Sequence, residues 1–184
     1  ANDSVSHAQS QEWLDAGWRV STVSFPSQTI SFSRIEERRK AYIDFFSALL
    51  NDLRKKPDFD IVNIAPRGRS WHNVESFTFE KKVQMVLVFS FGRGDIFRIE
   101  MYIDNGNQDT NKRLFDRLFA RKESIENAIG CRLEWERLDN RRASRISIIE
   151  NQISVSSSEE KLEALRQKAV AGMVKFKSVM TPIV

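Results

Sequence analysis

The chain has 184 residues and a mass of 21.4 kDa, of which 41% are hydrophobic and 29% charged; this is the balance of one folded domain with an arm, not of a disordered tract or two full domains. Its net charge of +4 permits an acidic partner without establishing one. No run of about eighteen apolar residues occurs, so no membrane span is expected; the single cysteine excludes an internal disulfide, and with two histidines it disfavours a His/Cys zinc site but not carboxylate-bound magnesium.

Residues 1–30 read as an N-terminal arm or linker. Its first eleven residues are rich in Ser, Asn and Gln, and residues 18–25 alternate like a short edge strand before Pro26. A linker tied down by Trp13 and Trp18, or the tail of a preceding domain, are the alternatives. No charged and apolar leader opens the sequence as it stands, and the lone Cys131 fits a reducing, cytoplasmic compartment.

Residues 31–184 read as a single domain. Ser33, followed three residues later by Glu36, has the form of a capping box. From there Ile35, Tyr42, Phe45, Phe46, Leu49, Leu50 and Leu53 recur on one helical face until Pro57. Short strands are expected at 59–64 and 74–79, separated by the turn Pro66-Arg67-Gly68-Arg69. The nearly continuous apolar run 83–91 predicts a central strand, and 96–103 alternates as its hairpin partner across Gly92-Arg93-Gly94-Asp95. A second helix is predicted over 110–128, with Gly130 as its stop and Cys131 as a small core residue opening a strand over 131–138. After the turn Asp139-Asn140-Arg141-Arg142 comes a strand at 144–150. The last helix is capped within Ser156-Ser157-Ser158 and runs to Val179. Consecutive strands between segregated helices predict an α+β fold: an antiparallel sheet of about five or six strands, with three main helices packed chiefly on one face.

Two groups of cations draw attention. Arg113, Arg117 and Arg121 are spaced four apart beside the apolar stripe of the second helix, and Arg141 and Arg142 follow in a turn. Arg67 and Arg69 flank Gly68, a flexible glycine next to Trp71, which places phosphate-binding groups beside a ring able to stack a base. The competing readings are a solvated helix face and a tryptophan plugging the core. Glu100 beside Arg98, and Glu134 beside Arg132, read as cross-strand ion pairs on a solvated sheet face. Asp58 with Glu80-Lys81-Lys82 has the letters of a magnesium-dependent nuclease, with Asp58, Glu80 and Lys82 as its catalytic set. His72 by itself carries no chemistry.

Gly68-Arg69-Ser70-Trp71, the strand Phe97 to Ile103, Arg121 to Glu126, Gly130, Leu133-Glu134-Trp135-Glu136 and Ser144-Arg145-Ile146 occur in an order that resembles a bacterial domain of unknown function. That domain commonly follows restriction-enzyme-like or PD-(D/E)XK nuclease domains. The resemblance runs from about Ile35 to Pro182 and implies a bacterial restriction-modification or phage-defence setting. It supplies no catalytic residue. The expected function is a non-catalytic accessory domain that contacts nucleic acid, DNA before RNA, without a membrane partner or cofactor. The alternatives are a protein-interaction or homodimerising module, attached to or working with a nuclease domain, and the nuclease itself, which alone would need magnesium.

Overall fold

The computed structural model describes residues 28–57, 59, 65–79 and 83–181. The chain divides into two compact units, Ala1–Ile35 and Glu36–Val184. In order, its described elements are α1 (Gln28–Arg54), β1 (Trp71–Phe79), β2 (Val83–Gly92), β3 (Ile96–Ile103), α2 (Gln108–Phe119), α3 (Lys122–Ile129), β4 (Glu134–Glu136), β5 (Ser144–Asn151) and α4 (Glu159–Met180). The five strands form one antiparallel sheet in the order β1-β2-β3-β5-β4, so the fold is α+β as expected, with four described helices in place of three.

Strand alternation assigns the two faces of the sheet. Met85, Leu87 and Phe89 of β2, Phe97, Ile99, Met101 and Ile103 of β3, and Ile146 of β5 are all buried on one face. That face is where the helices pack. Phe45 of α1 meets Phe91 and Phe97 edge-on at ring separations of 5.0 and 5.8 Å. Phe115 and Phe119 of α2 meet Trp135 of β4 at 6.0 and 5.5 Å. From α4, Lys177 reaches Glu75 at 2.6 Å, and a side chain at Gly172 would collide with Ile99. Glu126 of α3 accepts hydrogen bonds from the Leu133 amide (2.9 Å) and the Trp135 indole (3.0 Å). The opposite face carries no described helix.

Four expectations shift in the structure. The first helix begins at Gln28, so Ser33 lies inside it; nothing between Gln28 and Ser33 is a breaker that would stop the helix there, and Ile35 is exposed. The predicted helix over 110–128 is two helices. Apolar spacing of three or four runs from Leu114 to Phe119 and then jumps six residues to Ile125, and only a break at Ala120-Arg121 lets Ile125 and Ile129 turn inward. The strand expected over 131–138 shrinks to Glu134–Glu136. On one side of it the Leu133 amide is taken by Glu126, and on the other the Arg137 and Leu138 carbonyls accept from the Lys112 ammonium. Cys131 is exposed rather than a core residue, because it lies in the connection ahead of that shortened strand. Residues 1–27 of the arm expected over 1–30, residues 60–64 of the strand expected over 59–64 and the end of the chain from Pro182 lie outside the described residues.

Candidate functional site

The sheet face that carries no described helix is the place where chemistry-bearing side chains gather. Pairing register lines them up in three rows across the strands. Trp71, Ser90, Arg98 and Ile149 form the first. Asn73, Val88, Glu100, Ser147 and Glu134 form the second, and Ser76, Val86, Tyr102, Arg145 and Glu136 the third. A bulge between Asn73 and Glu75 keeps Trp71 and Asn73 on this face while sending Glu75 to the helix side. The rows enclose an open hollow of about 610 Å³, walled by Trp71, Val86, Val88, Ser90, Arg98, Glu100, Tyr102 and Arg145. Its size is that of small-molecule sites, about 300–1,000 Å³.

Glu100 is the centre of this site. Its residue is 5% exposed, and Arg145 from the neighbouring strand approaches its carboxylate at 3.2 Å. Arg145 is shared with Glu136 at 2.8 Å. Burial pushes the Glu100 carboxyl above the ordinary glutamate range; the guanidinium groups of Arg145 and Arg98 and the Ser90 hydroxyl pull it part of the way back. The expected solvated setting is therefore corrected: the Glu100 carboxylate is buried, and its cross-strand ion pair is made with Arg145. Arg98 extends along β2 so that its guanidinium lies over Gly92, where a Cβ would sit 2.2 Å from Nη1. Its Nε is buried without a hydrogen-bond partner among the described residues, and so is the Ser147 hydroxyl. Buried polar groups without partners are uncommon in a folded protein, and here several share one sheet face.

The expected arginines fall into two places. Trp71 stands at one end of the hollow, and Arg67 and Arg69 line a smaller cleft beside it together with Trp71, Ala65, His72 and Asn73. Trp71 is 43% exposed and the Arg69 guanidinium lies 5.3 Å from its ring, so this tryptophan does not plug the core. Gly68 is fixed, not flexible: at φ +68° it sits against the Arg39 side chain, whose Cγ would lie 2.2 Å from any Cβ. At the other end of the hollow Arg141 and Arg142 line a cleft with Tyr102, Asp104 and Arg145. Arg142 is committed to Asp104 through two hydrogen bonds of 2.7 Å, and that guanidinium holds the Asp104 carboxyl below its ordinary range. Arg67, Arg69 and Arg141 make no ion pair with a described residue.

Arg113, Arg117 and Arg121 belong to the other side. Arg113 and Arg117 are exposed on α2, whose aromatic residues pack behind the sheet, and Arg121 stands in the turn between α2 and α3. Lys112, next to Arg113 in the chain, is buried: it donates to the carbonyls of Arg137, Leu138 (2.9 Å) and Ala143 (2.7 Å) and to the Ser144 hydroxyl (3.1 Å). Arg137 is held by Asp116 and Asp139. Asp58, Glu80 and Lys82 lie outside the described residues, and no cluster of three metal-ligating side chains occurs among the described ones. No described helix is long and apolar enough to cross a membrane.

The site residues that sequence reasoning passed over are Ser90, Tyr102, Arg145, Glu136 and Ser147. A signal for them existed. Arg98, Glu100 and Tyr102 alternate on one face of a strand flanked on both sides, and a central strand rarely turns charge to a face it means only to solvate.

Residues 41–184 match the family described as a domain of unknown function (DUF4268), and the chain belongs to that family. The resemblance to a domain of unknown function is thereby borne out over most of its length. No curated protein and no solved structure matches the chain.

Proposed function

We propose that this family member is a non-catalytic module that contacts nucleic acid, working as an accessory part of a bacterial restriction or phage-defence protein. The supporting observation is the position of the cations that have no acidic partner among the described residues. Arg67 and Arg69 lie at one end of the sheet face that carries the hollow and Arg141 at the other, with an exposed, arginine-stacked Trp71 between strand and solvent. Cations at both ends of a concave face suit a chain of phosphates, and a half-exposed indole suits a base. The arginines of α2 are a second cationic surface behind the sheet and are not needed for this reading.

Fluorescence anisotropy with labelled single-stranded and duplex DNA and RNA tests it. Binding at low salt that weakens steeply as salt rises is expected, and Arg69→Ala together with Arg141→Ala should lower the salt slope by about one for each phosphate no longer neutralised. Absence of binding to every one of these probes at low salt would reject the proposal.

A further inference from the structure

The charge inside the hollow differs from the charge at its ends. Arg145 is shared by Glu100 and Glu136, Arg142 takes Asp104, and with Arg98 counted the acids and bases that line the hollow or pair with its lining balance, three of each. A balanced interior is a poor phosphate site, whereas Arg69 and Arg141, cations without a described acidic partner, sit at the ends. The interior is nevertheless polar, since Ser90, Arg98, Glu100 and Tyr102 line it and the Arg98 Nε has no hydrogen-bond partner among the described residues. A flat, uncharged group with donors and acceptors on its edge meets both conditions.

We infer that the hollow receives one unstacked nucleobase, so that the nucleic acid recognised is single-stranded, with its phosphates at Arg69 and Arg141 and the base edge facing Arg98 and Glu100. This rests on the nucleic-acid reading above and narrows it to a substrate class. In a duplex the base edges that Arg98 and Glu100 would meet are paired and stacked, and the floor of the hollow lies on the sheet, where a base reaches only once splayed out. Trp71 supplies the stacking surface and Arg98 the donors. Gly92 is a positioning residue: its missing side chain is the space in which the Arg98 guanidinium lies.

The test compares labelled mixed-sequence DNA as a single strand and as a duplex, at one salt concentration, using the whole chain. The single strand should bind about tenfold tighter or more, the value of one stacked base. Arg98→Gln and Trp71→Ala should each remove about fivefold or more from single-strand affinity and leave duplex affinity unchanged. Gly92→Ala should do the same by pushing Arg98 aside, and far-UV circular dichroism decides whether that variant is folded. If it is not, Arg98→Gln carries the test alone, because its guanidinium has no structural hydrogen bond at Nε to lose. Equal affinity for strand and duplex, or an Arg98→Gln variant that binds the strand like the wild type, would overturn the inference while leaving the proposed function standing. No binding to either probe would defeat both.

Discussion

Lys112 is a buried cation whose partners are all main-chain or hydroxyl oxygens. Its ammonium donates to three carbonyls where β4 ends, those of Arg137, Leu138 and Ala143; the first also accepts from the Ser144 hydroxyl (2.9 Å) and the second from the Arg141 amide (2.8 Å). Burial holds this lysine below its ordinary range. Lys112→Met keeps the length and loses every one of these bonds, so about 3 kcal/mol of stability should go with it, read from urea denaturation. The phase of α2 carried a hint of this. Lys112 stands three residues before Phe115, on the inward face, whereas its charged neighbour Arg113 is turned to solvent. What the sequence could not show is the destination, since the carbonyls it serves are some 25 to 31 residues away.

Helix α3 is tied to the sheet edge by one carboxylate. Glu126 accepts from the Leu133 amide and the Trp135 indole, and these bonds hold its carboxyl below the ordinary value of 4.5. The folded chain therefore binds this proton less readily than the unfolded one. The stabilisation is fully present above 4.5 and is lost as pH falls through the lowered folded value. Glu126→Ala should cost about 2 kcal/mol at neutral pH. Glu126→Gln keeps an oxygen acceptor and should melt close to the wild type at neutral pH, while losing less stability on acidification; thermal melts across a pH series separate the two. At this scale the strands 83–91 and 96–103 were readable because alternation and a tight turn are local. The short β4 was not, because side chains from two helices compete for its backbone.

Across the whole molecule, the sheet is protected unequally. β3 lies between β2 and β5, with every inward side chain from Phe97 to Ile103 buried, while β4 is an edge strand of three residues held by β5 alone. Amide hydrogen exchange should accordingly be slowest in β3 and fastest, among the strands, in β4; comparable protection in both would contradict this assignment of the edge. Fold class and the helix-bearing face followed from element order and periodicity. The site did not, because its parts come from β1, β2, β3, β4 and β5 and meet only through register. Reading single turns brought Arg69 and Trp71 into view, but Arg145 and Glu100 are 45 residues apart and nothing local links them.

The separation of the two faces has a consequence for how such a domain can diverge. Side chains at 86, 98, 102 and 149 project away from the layer that makes the protein fold, so they can be exchanged without disturbing the packing behind them. Lineages carrying this architecture are free to retune what they recognise while keeping their interior nearly constant, and variation among them should concentrate in alternate positions of β2, β3 and β5.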